Sequence, residues 1–158
     1  MIKDLVDQGY VSDGKARRLL RRDRLLDRWS EFYADVLRPK LEIGRFRSAD
    51  PGWWRTSRVT DYGGLWGGEP AGALLTDHLR PETSTVYAAS LPGRLLIDHR
   101  LSRDADGDVE IRRRFWRRDL PSPRADVVPG PLIYADLLAI GDSRTSEIAE
   151  MVRERYLD

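Results

Sequence analysis

Cysteine is absent from this 158-residue chain, which excludes a disulfide framework, a thiol nucleophile and a thiolate metal site. Histidine occurs only as His78 and His99. They are far apart in sequence and lack a ligand partner, so surface or capping roles are expected and no Ser-His-Asp arrangement can be argued. No apolar run approaches the roughly 18–20 residues needed to span a bilayer. The start, Met1-Ile2-Lys3-Asp4, lacks the apolar segment of a signal peptide. These absences point to a cytoplasmic protein with no membrane partner. Internal repeats and low-complexity tracts are also missing. Lysine is scarce, with Lys3, Lys15 and Lys40 the only three among 27 basic residues.

What is present suits one domain, or a small module joined to a larger one. Hydrophobic residues make up 41% and charged residues 34%, enough for a core and its cover. The net charge of +1 is unevenly spread: residues 1–60 hold 14 basic and 9 acidic side chains, and residues 61–158 hold 13 and 17. A basic front and an acidic back suggest that the front faces a polyanion.

Hydrophobic spacing and turn residues give an α+β reading. Ile2–Gln8 is a short helical segment closed by Gly9, and Tyr10–Leu20 is a hairpin turned at Asp13-Gly14. Asp23 caps a helix to about Leu37, where Leu25, Leu26, Trp29, Phe32, Tyr33 and Val36 form the apolar stripe and Pro39 ends it. Leu41–Phe46 is a strand, and Pro51–Tyr62 a helix or helical turn carrying Trp53-Trp54. Gly63–Gly68 reads as a flexible break before a helix from Glu69 to Leu79. Thr85–Ala89 is a strand, and Leu91–Ile97 is apolar but of undefined type. Leu101–Trp116 reads as a second hairpin turned at Asp106-Gly107, and Pro121–Val128 as a loop. Leu132–Leu138 is a strand or strand-to-helix junction, followed by a last helix, Thr145–Leu157. Residues 1–40 thus form a partial winged-helix-like segment with its connecting helix, and residues 41–158 a compact mixed α/β domain.

Helix, glycine, hairpin and helix is the order that follows the second half of a winged helix-turn-helix, with the hairpin as the wing. Ile2–Gln8 would be the tail of the recognition helix, and the helices before it are expected to be missing from this chain. Lys15, Arg17, Arg18, Arg21, Arg22 and Arg24 cluster on and after the wing. They are the candidate DNA-binding residues, contacting the phosphate backbone of double-stranded DNA. The competing reading is a solvated face in which these arginines pair with Asp23, Asp27 and Glu31 by helical spacing.

Several motifs point beyond composition. They are Leu25-Leu26-Asp27-Arg28-Trp29, Leu37-Arg38-Pro39-Lys40-Leu41, Gly67-Gly68-Glu69-Pro70-Ala71, Leu79-Arg80-Pro81-Glu82-Thr83 with Val86-Tyr87, Val109-Glu110-Ile111 and Phe115-Trp116. The run Leu132–Glu150, with its Tyr134-Ala135-Asp136-Leu137-Leu138 step and Gly141-Asp142-Ser143-Arg144 turn, completes the set. Over about residues 25–157 the chain resembles the AbiEi-type antitoxins of type IV toxin–antitoxin (abortive infection) systems, in the branch with a larger C-terminal domain. The resemblance implies a non-enzymatic prokaryotic antitoxin and transcription regulator. It would neutralise a nucleotidyltransferase-type toxin without lasting protein contact and repress its own operon, without a cofactor or metal. A homodimer fits such a regulator.

Two other function classes compete. Asp98 with Glu110-Ile111-Arg112 imitates the Asp…Glu-x-Lys pattern of metal-dependent nucleases, acids on neighbouring strands holding Mg²⁺, although arginine replaces the lysine. Trp53-Trp54-Arg55 suits base stacking, a domain seam or a dimerisation surface. Asp104-Ala105-Asp106-Gly107-Asp108 lacks the glycine and glutamate positions of a calcium loop and is a plain turn. Gly67-Gly68 has no Asp-x-Asp strand behind it, which removes a nucleotidyltransferase reading. Trp29 and Trp116 lie on apolar patterns and are expected in the core.

Overall fold

The computed structural model describes residues 22–117 and 120–157. The expected helix Ile2–Gln8, the hairpin Tyr10–Leu20 and the residues Lys15, Arg17, Arg18 and Arg21 lie outside them.

The first described helix, α1 (Arg22–Phe32), carries Asp23 in its first turn, where a carboxylate favours the helix dipole. The helix does not stop before Pro39, contrary to the sequence reading. It widens into a π-helical turn (Tyr33–Leu37) and continues as α2 (Arg38–Leu41). A proline in a regular helix clashes with the carbonyl four residues back. Here the turn before Pro39 is one residue wider, and the Arg38 amide bonds the Tyr33 carbonyl five residues back.

Strand β1 (Glu42–Arg47) follows, then the short helix α3 (Trp53–Thr56) and a 3₁₀ turn (Val59–Tyr62). The next segment corrects the sequence reading. Gly64–Gly67 is strand β2, antiparallel to β3 (Ser84–Ala88), and is no flexible break. Its glycines serve close approach. A Cβ on Gly64 would sit 2.9 Å from Val59 and Val86, and one on Gly67 would sit 2.5 Å from the Tyr87 ring. Helix α4 (Gly68–Thr76) ends short of Leu79, because Asp77 adopts a left-handed conformation and returns its amide to Ala73. Leu91–Ile97, undefined from sequence, contributes to helix α5 (Gly93–Asp98).

The expected hairpin Leu101–Trp116 is also corrected. Strands β4 (Ser102–Arg103) and β5 (Val109–Arg113) do not pair with each other, since β1 lies between them. The Asp106-Gly107 turn exists, with the Gly107 amide on the Asp104 carbonyl at 3.0 Å. Local turn chemistry reports a reversal, not which strand fills the space beside it. The five-stranded sheet runs β2-β3-β5-β1-β4, with β3 and β5 parallel and the other pairs antiparallel.

Leu132–Leu138 is helical. It lies within α6 (Gly130–Ile140), which starts with Pro131 in its first turn and is buried along most of its length. A continuous apolar run does not distinguish a buried strand from a buried helix. Gly141, at φ 82°, ends α6, and the Asp142 carboxylate accepts the Thr145 amide at 2.7 Å to start α7 (Ser143–Val152). A second π-helical turn (Arg153–Leu157) follows. Helix α6 packs against α1, α4 and α7.

Alternation along the strands sorts the sheet into two faces. Trp66, Val86 and Ile111 share an apolar face by register, and Trp66 meets Trp53 and Trp54 at centroid distances of 5.4 and 6.3 Å. Thr85, Tyr87, Glu110 and Arg112 share the other face, where Tyr87 bonds Asp136 of α6. The close packing at Gly67 gives a direct test. Its backbone is extended, so a Gly67→Ala change acts through space alone. Tyr87 cannot yield easily because its hydroxyl is bonded to Asp136. A loss of about 1–3 kcal/mol is expected, read as a lower denaturant midpoint at unchanged slope. An unchanged midpoint would contradict this packing.

Candidate functional site

Of the candidate DNA-binding residues, Arg22 and Arg24 lie among the described residues. Both are exposed at the start of α1. The acids between and beyond them point elsewhere: Arg153 takes Asp23 at 3.2 Å and Asp27 at 3.0 Å, and donates to the Tyr134 hydroxyl at 3.0 Å. Helical spacing also offers Asp23, Asp27 and Glu31 as partners for the basic cluster; among the described residues, Asp23 and Asp27 are tied to the C-terminal turn. The tie places the exposed guanidinium groups of Arg22 and Arg24 on a helix fastened to the body of the protein.

Under that helix lies a buried polar junction. Asp136 of α6 is fully buried. Its carboxylate accepts the Tyr33 hydroxyl at 2.5 Å, the Tyr87 hydroxyl at 2.9 and 3.0 Å, and Arg38 Nε at 3.4 Å. The two hydroxyls also touch each other, so four oxygens meet in one cluster. Burial pushes the Asp136 carboxyl above the usual carboxylate range, against the pull of Arg38 and the hydroxyls. Burial and the adjoining Asp136 likewise raise both phenols.

Arg38 carries the junction to a second carboxylate. Its Nη2 donates to Glu110 at 3.2 Å, beside Arg112 at 3.0 Å and Arg45 at 2.7 Å. Arg112 Nη1 also donates to the Arg38 carbonyl at 2.5 Å. With Glu42, which pairs Arg45 at 3.1 Å, the cluster holds three arginines and three carboxylates. Burial alone would raise Glu110, but Arg38, Arg112 and Arg45 outweigh it and hold it below the usual range. A third buried acid, Glu69, accepts the Glu82 and Thr83 amides at 3.3 and 3.0 Å and pairs Arg144 at 2.6 Å. It pins the loop before β3 to α4 and α7.

The remaining sequence candidates sort by burial. Asp98 and Glu110 are not brought together: Asp98 ends α5 and accepts the Tyr62 hydroxyl at 2.7 Å, while Glu110 is enclosed by arginines. A metal at Glu110 would have to displace three guanidinium groups. Among the described residues, no three His, Asp or Glu side chains gather as a cation site. Trp53 and Trp54 are buried at 4% and 7% exposure, which removes their faces from base stacking and from an external interface. Trp54 instead borders an open cleft of about 850 Å³ with Arg55, His78 and Arg80. His99 caps α5 and packs on Trp53 at 5.2 Å; His78 is exposed. Trp29 and Trp116 are half-buried against the core.

Tyr33, Arg38, Tyr87, Arg112 and Asp136 do not read as a group in the sequence, because the fold gathers them from the π turn after α1 and from α2, β3, β5 and α6. One signal was present: Asp136 is a lone acid inside the apolar run Leu132–Ile140, a position that requires a partner when buried. At its centre Tyr33, Tyr87 and Asp136 are each 0% exposed, and their hydrogen bonds fasten the first helix, the sheet and α6 together. Glu110→Gln would leave Arg112, 3% exposed, short of its charge partner. A cost of about 3 kcal/mol near neutral pH is expected. Because the folded pKa of Glu110 is lowered, its contribution exists above the unfolded carboxylate value and is lost as pH falls through the folded one. The gap between wild type and variant should therefore narrow on acidification, as measured by chemical denaturation. A gap independent of pH would contradict the pairing.

A family model described as "Transcriptional regulator, AbiEi antitoxin, Type IV TA system" matches residues 18–158. No curated protein and no solved structure matches the chain. None of the described helices is long and apolar enough to cross a membrane. The matched span takes in α1, the buried junction and the C-terminal helices, and the chain belongs to the AbiEi antitoxin family of type IV toxin–antitoxin transcriptional regulators.

Proposed function

We propose that this chain is a non-enzymatic, cytoplasmic antitoxin that contacts duplex DNA through its basic front. Lys15, Arg17, Arg18, Arg21, Arg22 and Arg24 would meet phosphates. The division at residue 40 is then one of labour: residues 1–40 carry the groups that meet DNA, and residues 41–158 form the antitoxin body. The observation that carries this reading is the freedom of Arg22 and Arg24 at the start of α1, while Asp23 and Asp27 are drawn to Arg153. Charges left exposed on a fixed helix keep their attraction for a polyanion and lose little order on binding. The family supports the regulatory role. A homodimer binding two half-sites, and a nucleotidyltransferase-type toxin as the counterpart, complete the proposal.

Fluorescence anisotropy with duplex DNA at low and moderate salt tests it. Binding should fall steeply with salt, and changing Arg17, Arg18, Arg21 and Arg22 to Ala should abolish it. An Arg24→Ala change alone should lower the log–log salt slope by about one. Absence of binding at low salt would sink the proposal.

A further inference from the structure

The segment 112–118 reads Arg-Arg-Arg-Phe-Trp-Arg-Arg, five arginines around two aromatic residues with no acid among them. The fold gives the described arginines among them, Arg112, Arg113, Arg114 and Arg117, different tasks. Arg112 is 3% exposed and occupied by Glu110 and the Arg38 carbonyl. Arg113 and Arg117 are exposed, and among the described residues neither has a carboxylate partner. Arg114 places its guanidinium 5.2 Å from the centre of the Trp116 ring, and its Nε has no hydrogen-bond acceptor.

The rings are held before any ligand arrives. Phe115 stands edge-on to Trp116 at 5.2 Å and 87°, Trp116 meets Tyr87 at 5.5 Å, and Phe115 meets Tyr33 at 6.5 Å. The ladder therefore rests on the two tyrosines that Asp136 fixes. Phe115 remains 41% exposed despite these contacts. Phe32 at the end of α1 and Val36 in the π turn after it are 52% and 41% exposed, and the same π turn supplies Tyr33.

We propose that Arg113–Arg117 forms a binding site for single-stranded nucleic acid, in which Phe115 and Trp116 stack on unpaired bases and Arg113, Arg114 and Arg117 meet phosphates. Stacked, paired bases offer no free face to such rings, whereas every unpaired base does. A planar guanidinium lying over an indole extends the stacking surface and keeps its charge for the backbone. This site lies at the end of β5 and uses none of the residues proposed for the duplex contact.

The test uses the full chain with fluorescein-labelled oligothymidylate and oligouridylate of about a dozen nucleotides, read by anisotropy at low and moderate salt. Both strands should bind, more weakly at higher salt. The two arms separate DNA from RNA: a tighter oligouridylate complex would identify the 2′-hydroxyl as part of the contact, and equal affinities would identify stacking and phosphate alone. Phe115→Leu should weaken binding about tenfold, Arg117→Ala should reduce the salt slope, and an abasic strand of equal length should bind about tenfold more weakly than either. Thermal unfolding of Phe115→Leu, whose ring is partly exposed, checks that the fold survives. Alanine at Arg17, Arg18, Arg21 and Arg22 should leave the affinity within about twofold, so that failure here and failure of the duplex site are distinguishable. Equal binding of the abasic strand, loss only in the N-terminal arginine variant, or binding to phosphatidylserine–phosphatidylcholine vesicles but to neither oligonucleotide would each overturn the proposal.

Discussion

Everything in this fold depends on placing one carboxylate, Asp136, where water cannot reach it. An isolated charge there would be costly, so its surroundings must supply donors. Tyr33 comes from the π turn after α1, Tyr87 from β3 and Arg38 from α2. Satisfying one acid therefore fixes the first helix, the sheet and the central helix relative to one another. The π turn has a second role here. It carries the chain past Pro39 and also sets Tyr33 and Arg38 five residues apart around the same carboxylate. Gly67 completes the arrangement by leaving room for the Tyr87 ring.

The same logic divides the arginines. Arg38, Arg45, Arg112, Arg144 and Arg153 are paired with acids and hold elements together. Arg22, Arg24, Arg113 and Arg117 are exposed. Composition alone shows an arginine-rich chain with almost no net charge. The fold spends its acids on interior partners and on local surface pairs, which leaves particular guanidinium groups facing solvent. An antitoxin of this family that binds nucleic acid would use such groups, held on elements that the buried junction keeps in place.

Much of the fold was legible where a local signal carried it. The strand at Glu42–Arg47, the helical turn with Trp53-Trp54, the strand near Thr85 and the last helix all follow from periodicity or caps. Of the expected apolar stripe on the first helix, Leu26, Trp29 and Tyr33 pack in or against the core, whereas Phe32 and Val36 are 52% and 41% exposed. The family was legible too, through motifs that prove to sit at structural joints: Glu69, Arg38-Pro39 and Asp136. The misses share one cause, which is tertiary context. Pro39 reads as a stop unless a π turn absorbs it. Gly63–Gly68 reads as flexible unless one sees the Val59, Val86 and Tyr87 side chains that its Gly64 and Gly67 must accommodate. Asp106-Gly107 reads as a hairpin unless β1 is known to enter between the strands. Leu132–Leu138 reads equally as strand or helix, because full burial erases the period. The junction itself draws on residues up to 103 positions apart, and no local pattern announces that.

The central claim is that Asp136 joins the first helix to the rest of the protein. Hydrogen exchange followed by mass spectrometry tests it most directly, comparing wild type with Asp136→Ala. In the wild type, peptides covering residues 22–41 and 130–140 should show similar, strong protection, as parts of one cooperative unit. In the variant, protection of both should fall together. Unchanged protection of residues 22–41 would show that the helix is held by its apolar stripe and the Arg153 tie alone, and would contradict the claim.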